Sequence, residues 1–238
     1  DMLSTTIMAT KAKVLFVPSM NTNMYENPIV QANMEKLKSF GYEFVEPESG
    51  HLACNTSGKG RFPALETIMD CAEKCIYGRE LLKGKKVIVS AGGTQEKIDP
   101  VRYISNRSSG RQGYAIAKAA WMEGADVTLV SCTTALPKPY GVKMVYAEDA
   151  RELEKAMNAE YDTCDAAIMA AAVSDYRPTV QADQKIKKED FDCLHIDLTQ
   201  NPDILYGLGQ KKRGQFLVGF AAETQDVIAV SYTHLRAH

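Results

Sequence analysis

The chain has 238 residues, enough for one ordinary core or two smaller domains, and its 45% hydrophobic and 24% charged residues are the balance of a globular protein. With 28 Lys and Arg against 30 Asp and Glu it is close to neutral, which argues against nucleic-acid or anionic-membrane partners and leaves room only for a local basic patch. We read neither a membrane-spanning run nor a signal-peptide pattern, and the six scattered cysteines fit reduced thiols of a cytoplasmic enzyme.

Val14–Val17 is a short apolar run suited to a buried parallel strand, followed by a polar loop to Pro28. Ile29 to Phe40 has helical spacing and stops at Gly41, and Tyr42–Val45 predicts a second strand. Glu46 to Arg61 reads as a long Gly/Ser-bearing loop, and Ala64 to Leu82 as a long helix. The Lys83–Lys86 run interrupts that pattern and is taken as a domain boundary. Beyond it strands and helices alternate: Val87–Ser90, then helix 111–123 closed by Gly124, Asp126–Val130, helix 150–160, Ala166–Ala171 and Phe216–Phe220. This order implies a parallel sheet covered on both faces, with ligands outside the carboxyl ends of its strands. The loops after Ser90, Ala171 and Phe220 are expected to converge on one site.

Four stretches carry candidate chemistry. The turn Ala91-Gly92-Gly93-Thr94 lets backbone N–H groups approach an anion, although a plain tight turn reads the same way. The segment from Asp99 to Gly110 is dense in donors (Arg102, Asn106, Arg107, Ser108, Ser109) and runs into a helix start, where negative charge is favoured; a solvated loop is the alternative. Lys185–Lys188 suits a triphosphate clamp if it faces the same site, and is otherwise exposed charge. In Ala170–Pro178, small residues let a ligand lie against the backbone, and Asp175 suits a hydroxyl or a metal; close helix–sheet packing is the alternative. His51, Cys54, Cys71 and Cys75 are a weak zinc set, since cysteines spaced four apart on an amphipathic helix are more often core. Cys54 differs: it lies in a glycine-bearing loop near Lys59 and Arg61, where a thiol pKa can be lowered.

Read together and in order, GGTQEKIDPVRYISNRSSGRQG, AAAVSDYRP, KIKK, NPDI and GFAAET resemble the phosphopantothenate–cysteine ligase domain of coenzyme A biosynthesis. Upstream, PSMNTNMYENP and HLACNTSGKGR look like the end of the flavin-dependent phosphopantothenoylcysteine decarboxylase domain to which that ligase is fused. The resemblance implies an α/β fold: the C-terminal part of a flavoprotein-type Rossmann-like domain over 1–84, then a second Rossmann-like, doubly wound, mainly parallel sheet over 85–230; residues 231–238, which continue neither a helix nor a strand cleanly, are read as a non-native tail. It implies a ligase that activates 4′-phosphopantothenate with CTP and Mg²⁺ as an acyl-cytidylate before cysteine attacks, and an FMN-dependent decarboxylase. The metal ligands stay unassigned.

The same resemblance implies the residue roles. Asn106 holds the acyl-cytidylate with Arg102 near the substrate, and Lys185 contacts the phosphates. Gly92, Gly93, Ala171, Asp175, Pro202, Asp203, Ile204, Leu205 and Phe220 shape the nucleotide pocket. In the decarboxylase part, Cys54 is the proton donor and Asn21 contacts the substrate carboxylate. The family's histidine base and most of its FMN site lie upstream of Asp1, and a lysine-bearing segment follows Thr224. The expectation is therefore a cytoplasmic, homo-oligomeric bifunctional enzyme of which this chain retains little of either activity. A non-catalytic nucleotide-binding Rossmann-like module is the competing reading. An NAD-dependent oxidoreductase is disfavoured by the absence of G-x-G-x-x-G.

Overall fold

Asparagine caps and short apolar strands organise the first 79 residues. A computed structural model describes residues 1–51, 57–188 and 193–221, and it divides into two units, Asp1–Arg79 and Glu80–His238. Cys54 and the tail 231–238 lie outside the described residues.

In the first unit the elements are α1 (Met2–Ala9), β1 (Leu15–Phe16), α2 (Thr22–Tyr25), α3 (Pro28–Ser39), β2 (Glu43–Phe44), β3 (Glu48–His51), β4 (Ser57–Arg61) and α4 (Leu65–Tyr77). β1 and β2 pair in parallel, Phe16 opposite Phe44, with the two rings stacked 4.9 Å apart. α3 begins as its sequence dictates: the Asn27 side chain accepts from Ile29 N, and Pro28 occupies a position that needs no amide donor. The expected loop from Glu46 to Arg61 is instead an antiparallel pair, β3 with β4. Its composition has poor strand propensity, so contacts outside the pair hold it. Met20 N donates to Gly60 O at 3.0 Å, and a Cβ on Gly60 would lie 2.1 Å from Met20 O. The last helix ends at Tyr77 with Gly78 as its C-cap, short of the predicted Leu82. Cys71 on α4 is core, 6% exposed.

The second unit contains β5 (Lys86–Ala91), β6 (Gln95–Lys97), β7 (Tyr103–Ser105), α5 (Arg111–Met122), β8 (Asp126–Ser131), β9 (Lys143–Tyr146), α6 (Ala150–Tyr161), β10 (Ala166–Met169), β11 (Tyr176–Pro178), β12 (Leu198–Gln200), α7 (Ile204–Lys211) and β13 (Phe216–Gly219). Five strands form one parallel sheet in the order β13-β10-β5-β8-β9. The chain thus winds outward from β5 through β8 to β9, then crosses back to β10 and β13. The reversal falls between β5 and β10.

β5 and β8 are buried at every residue after the first, the mark of strands covered on both faces. On one face Ile88, Val130, Ala167 and Met169 pack with Leu153, Met157 and Tyr161 of α6 and with Ile204 and Leu208 of α7. α5 packs on β5 and β8. Its Gly113 meets Ala91, and Ala91, three residues after Ile88, points to the opposite face. The sheet is therefore doubly wound. Each fully buried Val, Leu or Met contributes about 1.5–3 kcal/mol. Among the described residues no helix is long and apolar enough to cross a membrane.

Two expected outcomes test this packing. Gly113→Ala would ordinarily favour a helix, yet a Cβ there would lie 2.5 Å from Ala91 Cβ and 2.7 Å from Ser90 O. It should destabilise the chain by about 1–3 kcal/mol in urea titration, whereas Gly207→Ala in α7, with nothing within 4 Å, should be neutral or stabilising. Burial also pushes the thiols of Cys71 and Cys164 up to about 11 and that of Cys132 up to about 12. An unfolded thiol titrates near ~8.5, so the stability these groups contribute is full below that pH. It is lost as pH rises through the folded values. Urea midpoints should fall between pH 8 and pH 10, and iodoacetamide should label the exposed Cys193 before these three.

Candidate functional site

The carboxyl end of β5 and the first turn of α5 are brought together by glycines. Gly110, the N-cap of α5, has φ +77°, and a Cβ on it would lie 3.2 Å from Gly92 N. Gly92 itself has φ +90°. The N-cap Gly110 has no side chain, and only Arg111 N has a side-chain acceptor, Ser109 Oγ at 3.4 Å, so the first turn of α5 keeps partial positive charge that favours an anion by about 0.3–1 kcal/mol. The pairing of β5 and β10 continues past the sheet: Ala172 N donates to Gly92 O at 2.8 Å, and Gly93 bridges Ala172. This junction lies at the reversal of strand order, where ligands of such sheets bind.

The donor-rich segment that follows is not a loose loop. β6 and β7 pair antiparallel, Glu96 opposite Ile104. The hairpin is anchored to α6, because the buried Glu96 accepts from Ala150 N at 3.1 Å and Gln95 N donates to Glu148 O at 2.8 Å. Just beyond β7, Asn106 Nδ2 donates to Val173 O at 3.0 Å. A Cβ on Gly93 would lie 2.8 Å from Asn106 O. Gly93, Asn106 and Val173 thus meet at one point.

Asp99 is 1% exposed. Its Oδ1 accepts from Val101 N at 2.7 Å and Arg102 N at 2.9 Å, and its Oδ2 accepts from Ile186 N at 3.2 Å. Burial alone would raise its pKa, but the three amides and the Arg102 guanidinium together hold the carboxyl below the usual range. Arg102 is turned toward Asp99 and toward the Ile186 carbonyl, with Nη2 2.9 Å from that oxygen. Lys185, next to Ile186, is exposed and has no partner among the described residues.

The segment after β10 carries the remaining residues. Ala171 N donates to Ser90 Oγ at 3.1 Å, and Ser174 N to Thr94 Oγ1 at 3.0 Å. Asp175 has an exposed side chain, while its carbonyl accepts from Asn201 N at 2.7 Å. Asn201 Nδ2 donates to Ser174 O at 2.8 Å and its Oδ1 accepts from Arg177 at 3.0 Å, so the turn at Pro202 is tied to this segment. Asp203 caps α7 by accepting from Tyr206 N, Ile204 is core at 3% exposure, and Leu205 packs where a Cβ on Gly219 would fall. Phe220 is half exposed, and its backbone N–H donates to Met169 O at the end of β10. Gly92, Gly93, Ala171, Asn106 and Phe220 therefore gather at the carboxyl ends of β5, β10 and β13. Asp203 and Ile204 are turned to capping and packing.

In the first unit, Asn21 is the N-cap of α2 and accepts from Asn23 N at 2.9 Å. Nearby, Glu46 Oε2 accepts from Tyr25 OH and from Lys59 Nζ, each at 2.8 Å, which ties β4 to α2. The hydrogen bond from Lys59 is the main cause that lowers the Glu46 pKa. Asp99, Thr94, Arg177 and Asn201 were not singled out in the sequence. Their bonds reach residues 23 to 87 positions away, and local spacing signals none of these. Asp99 before Pro100 and Asn201 before Pro202 register in the sequence only as turn formers.

Known proteins resemble this chain over both units. Residues 82–238 match the family described as DNA/pantothenate metabolism flavoprotein, C-terminal domain, and residues 1–77 match the family described as flavoprotein. The chain is 44% identical over 231 residues to the coenzyme A biosynthesis bifunctional protein CoaBC of Bacillus subtilis, covering 95% of this chain and 56% of that protein. With the protein of the same name from Mycobacterium tuberculosis strain H37Rv it shares 41% identity over 248 residues, 100% of this chain and 59% of that one. A crystal structure of the C-terminal domain of CoaBC superimposes with a TM-score of 0.58 at 43% identity, covering 66% of this chain and 74% of that one. The chain spans less than two thirds of the length of these curated relatives. Matched over more than half its residues, and with the glycine turn, hairpin and parallel sheet described above, the chain belongs to the DNA/pantothenate metabolism flavoprotein C-terminal domain family.

Proposed function

We propose that the second unit is the ligase part of a bifunctional enzyme of coenzyme A biosynthesis, joining 4′-phosphopantothenate to cysteine at the expense of CTP. The reading rests on one observation: Gly93, Asn106 and Val173 meet at the reversal of strand order, and the Lys185 segment is bonded to the same hairpin. The names of the relatives support it. In the first step a carboxylate oxygen of the substrate attacks the α-phosphorus and pyrophosphate leaves. The amine of cysteine then attacks the acyl carbon, CMP leaves, and the amine proton passes to solvent. The exposed Lys185 offsets triphosphate charge, and the Asn106 amide and the first-turn amides of α5 supply fixed donors. Mg²⁺ carried on a triphosphate needs one or two carboxylates rather than a protein cage, and the exposed Asp175 carboxylate fits that demand.

For the first unit we propose descent from the FMN-dependent decarboxylase, with Asn21 toward the substrate carboxylate and Cys54 as proton donor. The described residues do not fit a complete flavin site. The starts of α1, α2 and α3 each carry an oxygen acceptor, Asp1, Asn21 and Asn27, and are closed to a phosphate, while α4 starts at Ala64 without a side-chain cap. No step is routed through the flavin. Exposed apolar side chains on and beside the antiparallel pairs, Val101, Tyr103, Tyr176, Val180 and Leu198, support self-association of the second unit. A cytoplasmic location accords with this metabolism.

In a chain of the relatives' full length, pyrophosphate release should require CTP and phosphopantothenate, while CMP release and sustained turnover should require cysteine as well. Nucleotide binding without release would favour the non-catalytic module. Lys185→Gln should lower kcat/KM for CTP by about tenfold to a hundredfold, the weight of one charged phosphate contact. Asn106→Asp should depress amide formation by about a hundredfold through charge repulsion at the acyl-nucleotide; unchanged turnover would remove Asn106 from the site.

A further inference from the structure

The backbone of Ile186 is held at both of its polar groups. Its N–H donates to Asp99 Oδ2 at 3.2 Å, and its carbonyl accepts from Arg102 Nη2 at 2.9 Å. The two gripping side chains also pair with each other, Arg102 Nη1 lying 3.2 Å from Asp99 Oδ2. A third bond, Ala182 N to Ile98 O at 2.9 Å, fastens the same two stretches four residues earlier. Asp99 is in turn fixed by the amides of Val101 and Arg102, which leaves its carboxylate one orientation. Lys185 and Lys187, on either side of the gripped residue, are exposed. A surface lysine run would ordinarily sample many positions. This one is pinned by a fully buried charge through a backbone group, which fixes where the chain runs.

We propose that Asp99 is a positioning residue: acting through Arg102 and the Ile186 backbone, it holds the Lys185 segment against the hairpin that carries Asn106, so that Lys185 is presented to the triphosphate. The nucleotide half of this proposal rests on the ligase reading above; the latch itself does not. It also gives Arg102 a role in the chain rather than on the substrate.

Hydrogen exchange on this chain tests the latch directly. In Asp99→Asn, which keeps the side chain's size but removes its charge, exchange at the Ile186 and Ala182 amides should quicken by about tenfold or more. The amides of β5 and β8 should stay unchanged, and tryptic cleavage after Lys185 and Lys187 should speed up alike. Should Asp99→Asn fold poorly, Arg102→Lys serves instead, because an ammonium cannot reproduce the guanidinium fork that spans Asp99 and the carbonyl. Unaltered exchange at Ile186 in a well-folded variant would overturn the latch.

In a full-length chain either variant should raise KM for CTP by about tenfold with a smaller change in KM for phosphopantothenate. If Arg102→Lys raised only the phosphopantothenate KM, the positioning role would be lost to direct substrate contact. If the unmodified full-length chain released no pyrophosphate, the ligase reading and the nucleotide half would fall together, and the exchange result would still decide the latch.

Discussion

Everything at the site depends on how closely the first turn of α5 approaches the end of β5. Gly113 lies where any Cβ would run into Ala91 and the Ser90 carbonyl, and Gly110 lies almost on the Gly92 amide. Without side chains at these positions the helix start is drawn onto the glycine turn. The reversal of strand order between β5 and β10 falls beside that contact. A helix standing even one methyl group further off would separate the anion-favouring amides from the hairpin that carries Asn106.

Around that contact the site is held by polar bonds rather than apolar packing. Thr94, Asp99, Asn106, Arg177 and Asn201 each reach a backbone group of another segment. A neutral bond of this kind contributes about 0.5–1.5 kcal/mol, and one to a charged group about 1.5–3 kcal/mol. Bonds to peptide groups have a directional consequence that apolar contact lacks. They fix the course of the chain and leave the intervening side chains turned outward, as Lys185 and Asp175 are. A site that must grip a charged nucleotide needs such a frame, because its own lysines cannot both brace the loop and meet the ligand.

The frame was the part least legible in the sequence. Buried parallel strands announce themselves by apolar runs and helices by their caps, so β5, β8, α5 and α6 fall within a residue of expectation. β9 escaped because Lys143–Tyr146 is a short edge strand with only its two central residues half buried. The antiparallel pairs β3–β4 and β6–β7 read as loops, since Gly58, Gly60, Lys97 and Ser105 have little intrinsic preference for strands. Their pairing is fixed by contacts such as Gly60 on Met20 and Glu96 on Ala150. Motif chemistry pointed to Asn106 and Lys185, but not to Asp99, whose meaning lies in a residue 87 positions away. Asp203 and Ile204, read in the sequence as part of a motif, also serve the fold, as a cap and as core.

The two units differ in what sustains them, and this bears on where chemistry can reside. The second unit has a sheet covered on both faces and a contiguous core running from Ile88 to Leu208. In the first, two strands of two residues pair in parallel, and α1 buries nothing. Parallel pairs are stable where both faces are covered, and an isolated eight-residue helix is marginal in water. Leu65, Met69 and Ile76 recur at helical spacing on α4, and each is at least 60% exposed. An apolar stripe of that kind gains stability only when something covers it. The polar ties at Glu46 involve half-exposed side chains and contribute at most about 1 kcal/mol each. Any activity seated in the first unit therefore depends on apolar cover for these surfaces, whereas the second unit carries the core that its site requires.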